Sequence, residues 1–385
     1  MSAKVLYFFE LCKFICICGI FFVPLQPINR MSQILTYDQI DRQQWSELVR
    51  TSETGTWFQS PEAYDFYASM PELMEPFVYG VEQVRELENE RISELVGICV
   101  GYVTKEPNAI KQFFTRRAII IGGVALANDA TSEEVEALMK AVRKQFKICD
   151  LRFKILNSPI YIETRNFNDY SAWKEAFETA GFSYKPHLNF HVDPSKNNLS
   201  DNRCRQVRKA QATVECLTNE IIVRDSSRKE RVNESEIREW YKVLAELYRT
   251  KVKTPLWPIE FFLEAYRQGI AKFLLVKHEG RIIGGSMVVS DERTVYEWFE
   301  CGLNAAYKDQ YPSVMATYAG IQLAKQSGCT RYDMMGAGEP GVPYGVRDFK
   351  AEFGGQLVEH GRFLCVTKPL LYKIGTIAVK ILKRK

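Results

Sequence analysis

The stretch Tyr332–Phe363, YDMMGAGEPGVPYGVRDFKAEFGGQLVEHGRF, decides how the rest of the chain reads. A strand pattern over Arg331–Met335 runs into a loop punctuated by Gly336, Gly338, Pro340 and Gly341, which breaks regular structure. A short segment carrying Phe349 and Lys350 follows, then Phe353-Gly354-Gly355 and a final strand pair. A strand, a glycine loop, a helix and a closing strand pair are the end of an α/β unit.

Upstream, the same kind of unit is written twice. Helix patterns around Trp45 and after Ser60-Pro61 precede strand-like runs at Phe77–Val81 and Leu95–Val103, and Arg117–Val124 reads as a buried strand. Thr131 and Glu134 form a T-x-x-E capping box before Val135, Leu138, Met139 and Val142, which share one helical face. A strand (Ile160–Glu163), a helix (Tyr170–Ala180) and a strand (His187–Val192) close the first unit. The second repeats the scheme, with helices at Ile237–Tyr248 and Phe261–Tyr266. Strands follow at Phe273–Lys277, Ile282–Ser290 and Thr294–Gly302, joined by the hairpin turns Glu279-Gly280 and Asp291-Glu292. A helix over Pro312–Gln326 leads into the quoted stretch. The run ISELVGICVGYV (Ile92–Val103) is echoed by RIIGGSMVV (Arg281–Val289), an internal repeat that strengthens the reading.

The pattern resembles the FemA/FemB family, whose second acetyltransferase-like (GNAT) domain ends in a strand with Tyr-Asp, a glycine loop, Phe-Lys and Phe-Gly-Gly. Phe349, Lys350, Phe353, Gly354 and Gly355 match residue for residue. NRCRQVRKA (Asn202–Ala210) is similar to the basic helix that opens the family's second domain, and WFQSPEAYDFY (Trp57–Tyr67) to its F-x-Q-S start. The likeness spans nearly all of residues 33–368. It implies an α/β chain of two tandem GNAT-like domains, each a mixed, largely antiparallel sheet flanked by helices. Their expected bounds are 33–195 and 196–368, with a hydrophobic extension over 1–32 and a basic amphipathic helix over 369–385.

The resemblance further implies an acyltransferase that moves an amino acid from aminoacyl-tRNA to an amine of a peptidoglycan precursor, a lipid-linked or nucleotide-linked muropeptide. Amide formation from an ester passes through an oxyanion, which a fixed cation stabilises only once it forms. Lys350 would be that catalytic cation, holding the oxyanion or the donor's terminal ribose-phosphate, while Phe349 holds the helix. On this reading Lys350→Met leaves the fold intact and removes activity. The bland alternative is a lysine on a solvated helix face.

Arg203, Arg205, Arg208 and Lys209 place four cations within seven residues, suited to a diphosphate or a tRNA acceptor end because guanidinium forks match phosphate oxygens; a solvated face is the alternative. Tyr332 and Asp333 sit at a strand end. Asp333 either orients the incoming amine or caps the next loop. Tyr344 and Arg347 complete the candidate substrate-binding residues. Trp298 and Glu300 are expected on one strand face, with Glu297 and Phe299 on the other. His187 and His191 read as a packed, hydrogen-bonded pair rather than a metal site, and no metal or organic cofactor is implied.

Two features qualify the resemblance. The coenzyme A cradle of this fold needs glycines at the helix after the fourth strand, and Ala305–Met315 (AAYKDQYPSVM) has none. This favours an aminoacyl-tRNA donor. Where the family reads Q-S-x-x-W-x-x-x-K, this chain has Ala63 and Tyr67, so the usual acceptor is in doubt. An N-acyltransferase acting on another cell-envelope sugar or glycolipid, with an acyl-CoA or carrier-protein donor, is the alternative.

The net charge of +4 over 385 residues gives no overall attraction to nucleic acid, and 46% apolar with 25% charged residues is the balance of a globular protein. Ten cysteines without a CxxC pair read as reduced thiols in a cytosol. Between Val5 and Leu25 the apolar run is interrupted by Glu10 and Lys13, short of the roughly 20 residues a spanning helix needs. A start codon at Met31 is favoured over an anchor. At the other end, Lys368–Lys385 (KPLLYKIGTIAVKILKRK) holds six basic residues and no acid. It can lie on the anionic inner leaflet of the membrane, or pack its apolar face on the second domain.

Overall fold

A computed structural model describes residues 31–87, 90–106, 108–146, 158–196, 198–217 and 232–384. The extension over 1–30, on which the start-codon and anchor readings fall, lies outside the described residues. The chain enters through β1 (Met31–Thr36), α1 (Arg42–Thr51) and α2 (Pro61–Ala68), then β2 (Met74–Leu87), β3 (Glu90–Thr104), α3 (Ala109–Thr115), β4 (Ala118–Gly122) and β5 (Ala125–Leu126). Next come α4 (Ser132–Gln145), β6 (Tyr161–Asn166), α5 (Lys174–Thr179), β7 (Ser183–Lys185) and β8 (Leu188–Val192). The second half runs α6 (Asp201–Gln211), β9 (Glu215–Leu217), α7 (Glu234–Leu247), α8 (Ile259–Arg267), β10 (Lys272–His278), β11 (Arg281–Ser290), β12 (Thr294–Gly302) and α9 (Pro312–Gln326). It ends with β13 (Arg331–Gly336), α10 (Gly345–Ala351), β14 (Gln356–Glu359), β15 (Arg362–Val366) and α11 (Pro369–Arg384).

Local chemistry accounts for these boundaries. Ser60 accepts the Ala63 N–H and Pro61 stands in the first turn of α2, where its missing N–H costs nothing. The Thr131–Glu134 capping box forms as read, with Thr131 N–H to the Glu134 carboxylate at 2.8 Å. Glu279 and Gly280 take positive φ in the turn between β10 and β11, which the twist of a hairpin favours.

Two mixed sheets result. The first has the order β1-β2-β3-β4-β6-β15-β7 with β5 on β3, and the second β14-β8-β13-β12-β11-β10-β9. Each is antiparallel except at one pair, β4 with β6 and β12 with β13. Sheet membership crosses the boundaries expected from the chain order. β8, inside the 33–195 span, joins the second sheet through β13 and β14, while β15, inside 196–368, joins the first through β6 and β7. β15 lies between β6 and β7, and β8 between β13 and β14, so each unit lends the other an interior strand whose backbone groups are paired on both sides.

The halves also share a core. Phe58 and Phe66 of the first meet Tyr296, Trp298 and Phe261 of the second with ring centroids 5.1–5.4 Å apart. Separate apolar cores lie behind each sheet, under α4 and α5 in the first unit and under α6 and α9 in the second.

The Gly-Gly of the quoted stretch has a packing reason. Gly354 has φ +75°, and a Cβ there would overlap the backbone carbonyl of Asn198; one on Gly355 would overlap that of His191. We expect Gly354→Ala to destabilise the protein by about 1–3 kcal/mol, because a strained φ and a backbone clash coincide. Urea denaturation checks this, and a change below about 0.5 kcal/mol, the ordinary range for surface positions, would contradict it.

Candidate active site

The site begins with a strand defect. β12 and β13 pair in parallel from Thr294–Arg331 to Tyr296–Asp333 and then separate. On its other side β12 carries a bulge, since Met287 faces Phe299 and Val288 faces Glu297 with Trp298 left over. An extra residue reverses the alternation beyond it. The expectation that Glu297 and Glu300 occupy opposite faces is therefore corrected: both turn toward α9. Trp298 goes the other way with Phe299, into the shared aromatic core.

Glu297 is buried and accepts hydrogen bonds from Thr317 Oγ1 and Tyr332 Oη, each at 2.8 Å. Glu300 is bonded to Ser313 at the start of α9, while its Oε1 is buried without a partner. Burial, then the neighbouring Glu297 charge, pushes the Glu300 carboxyl up to about 8. Glu297 is raised by burial too, against the pull of Lys350, Tyr332 and Thr317. Such a shift on a buried carboxyl beside a second one is a common mark of acid–base function.

Lys350 reaches this cluster from α10. It is buried, and its Nζ donates to the backbone carbonyls of Met334 and Gly336, the latter at 2.7 Å. These carbonyls lie on β13 beyond the point where β12 stops pairing with it. The ammonium, with three N–H donors, supplies bonds where the parallel ladder has ended. Burial lowers its pKa, and Glu297, Asp333 and Glu300 oppose that shift. The solvated-lysine alternative is thereby corrected.

The first unit has a neutral counterpart. Gln59 Nε2 donates to the carbonyls of Ile121 and Gly123 at 3.1 and 2.9 Å, again two residues apart at the end of a parallel pair. A side chain plugs each opening, and the second is charged.

The other candidates divide. Tyr332 belongs to the cluster through Glu297, and Phe349 packs in the second core, edge-on to Phe353 at 5.3 Å. Asp333 caps: its Oδ1 accepts the Met335 N–H at 2.7 Å, and its Oδ2 lies 3.1 Å from His191 Nε2. Arg347 donates to the carbonyls of Ala337 and Glu339 at 2.9 and 2.6 Å, tying the glycine loop, and Tyr344 is exposed.

Arg203 is not available to phosphate as expected. It is buried, stacked over Phe349 and Phe353 at 4.6 and 4.9 Å, and donates to the Phe349 carbonyl and Gln206. It joins α6 to the lysine-bearing α10. Lys209 is paired with Asp309 at 2.8 Å, whereas Arg205 and Arg208 are exposed. Arg203→Ala is expected to cost about 1–3 kcal/mol through the lost buried hydrogen bonds. Arg205→Ala and Arg208→Ala should stay within about 0.5 kcal/mol. Thermal denaturation of the three variants separates them, and equal effects would contradict the assignment.

His187 and His191 do not bond to each other as expected. His187 Nε2 meets Arg362 at 2.9 Å, and burial lowers its pKa to about 4. His191 packs against His360 at 5.3 Å. His191, but not His187, lines a cavity of about 340 Å³ bounded also by Thr54, Asn168, Trp173, Arg331 and His360, among others.

The sequence by itself gives Glu297 and Glu300 only a strand face. Two carboxylates inside the otherwise apolar YEWFEC run are a usable signal, because acids are rarely buried unpaired. The start of α9 bears on the donor. Asn304 Oδ1 accepts the Ser313 N–H at 3.2 Å and its Nδ2 donates to Ser313 Oγ at 2.7 Å. Pro312 has no N–H to offer, so this helix end is already partly capped from within.

Residues 202–350 match the family model described as an acetyltransferase (GNAT) domain. Among solved structures, the chain is similar to that of FemX, with 13% identity, a TM-score of 0.60, and coverage of 89% of this chain and 99% of that one. A tandem GNAT protein from the clavulanic acid biosynthesis pathway gives 10% identity, a TM-score of 0.51, and coverage of 88% and 99%. No curated protein sequence matches. At such identities the likeness is one of fold.

Proposed function

The chain has the FemAB-like tandem GNAT fold, with an acetyltransferase-type second unit, and from that premise we propose that it transfers an amino acid from aminoacyl-tRNA to an amine of a peptidoglycan precursor. The observation that carries the proposal is the Lys350 ammonium, held where β12 and β13 part and coupled to Glu297 and Glu300. In this reading the acceptor amine attacks the ester carbonyl and the new C–N bond creates an oxyanion, which the ammonium stabilises. Glu300, poised near neutral pH, takes the proton the amine must lose. Collapse of the intermediate breaks the C–O bond, and the departing ribose oxygen receives that proton.

The partly capped start of α9, with no glycine in Ala305–Met315, supports an ester donor over a pyrophosphate-bearing one. The muropeptide acceptor rests on the FemA/FemB resemblance. A catalytically dead scaffold fits poorly, because buried charges cost stability unless they serve a purpose.

One observation favours a second reading. At the position of the family's acceptor-linked lysine, Tyr67 is 1% exposed in the shared core, and Ala63 is buried beside it. An N-acyltransferase for another envelope sugar or glycolipid, supplied by acyl-CoA or a carrier protein, accommodates that change. Incubating the protein with radiolabelled aminoacyl-tRNA and a muropeptide, with and without ribonuclease, tests the first reading. Label transferred only without ribonuclease is the expected result. Ribonuclease-insensitive transfer from an acyl-CoA would replace it with the second.

A further inference from the structure

We propose that α11 and α3 together form a face that docks on an anionic lipid bilayer. α11 presents an apolar stripe to solvent. Leu370, Ile374 and Ile377 are 73%, 48% and 51% exposed. At about 100° per residue, these three fall in one stripe roughly 60° wide. Tyr372, on the opposite side, packs edge-on against Tyr161 of β6 at 5.6 Å. Ordinarily the apolar stripe faces the core and the polar side faces water.

The mooring of the helix is specific. Lys368 Nζ donates to the Ser158 carbonyl at 2.7 Å and stands 5.3 Å over the Phe113 ring of α3. This brings α3 alongside the start of α11, although some 250 residues separate them in the chain. Phe114, edge-on to Phe113 at 5.1 Å, is 51% exposed. The expected packing of the tail on the second domain is corrected, since its anchor points are on the first sheet and α3.

Charge selects the occupant. α11 contains Lys373, Lys380, Lys383 and Arg384 and no acidic residue. On α3, Lys111 is paired with Glu106 and adds little. A neutral protein surface would cover Leu370, Ile374 and Ile377 but leave the cations unmatched. A nucleic acid would match the cations but not the aliphatic side chains. A bilayer with anionic headgroups answers both, the aliphatic stripe entering the acyl boundary and the cations meeting the phosphates. No described helix is long and apolar enough to cross a membrane, so the contact is with one leaflet.

This inference does not depend on the transferase reading. The test is co-sedimentation of the full chain with vesicles of phosphatidylcholine alone or mixed with phosphatidylglycerol. The parent chain and the variants I374E/I377E and F114S are compared, and all keep residues 1–30, so the apolar run there contributes equally. The parent should pellet with the anionic vesicles and not with the neutral ones. I374E/I377E should bind at least about tenfold more weakly and F114S by a smaller factor, as expected when apolar surface leaves the interface. All three substituted positions are exposed, so melting curves should match the parent. Equal pelleting of parent and I374E/I377E, or equal binding to both vesicle types, would overturn the proposal. So would a self-association, or a retention on RNA, that I374E/I377E abolishes in the absence of vesicle binding.

Discussion

Lys350→Met is expected to abolish measurable transfer and also to destabilise the protein. Loss of a cation aimed at a developing oxyanion costs about 10²–10³ in rate. The stability effect comes from the Met334 and Gly336 carbonyls, which lose their donor in a buried place. Each acceptor left unsatisfied costs about 1–3 kcal/mol. Methionine fills a similar volume, so the loss is of hydrogen bonds and charge rather than of packing. This departs from the structurally silent substitution that the sequence implies. Single-turnover transfer and urea denaturation measure the two effects separately. Near-normal turnover would remove Lys350 from the chemistry, and unchanged stability would remove it from the strand junction.

Glu300→Gln should move activity and stability in opposite directions. The native carboxyl holds its proton up to about 8, against an ordinary value of 4.5, chiefly because it is buried and next because Glu297 is close. An unfolded chain releases that proton near the ordinary value. Between those two pH values the native state binds more protons, so stability falls as pH rises, by at most about 1.4 kcal/mol per pH unit. Below pH 4.5 and above pH 8 this contribution is flat. Glutamine has no proton to release, so the variant should match the parent near pH 4.5 and exceed it in stability at pH 8. The parent's transfer rate should climb with a midpoint near 8, as the base form appears, and the variant should lose about 10²–10⁴ of it. Denaturation curves at several pH values, beside a pH–rate profile, provide the check. A parent whose stability is level from pH 5 to 8 would defeat the assignment of the raised group.

Charge in the second unit is what separates it from the first. Gln59 and Lys350 both bond carbonyls two residues apart at the end of a parallel strand pair. Only the lysine brings a formal charge, and only there do two carboxylates share the opening. A neutral amide is a strut. An ammonium beside Glu300 can answer a change of charge during a reaction.

Local patterns were enough to read most of the elements, the tandem repeat, the Thr131 capping box and the position of the Phe349-Lys350 helix. Each depends on neighbours within a few residues: side-chain periodicity, a cap or a turn. The tertiary structure alone decided which residues meet. The bulge at Trp298 turns Glu300 to the side of Glu297. The exchange of β8 and β15 places an interior strand of each sheet in the other half of the chain, and Arg203 leaves the basic face of its helix to lie over Phe349. Lys350 finds the carbonyls that β12 abandons. These outcomes are set by pairings between segments distant in the chain, where packing and unsatisfied backbone groups outweigh any local preference.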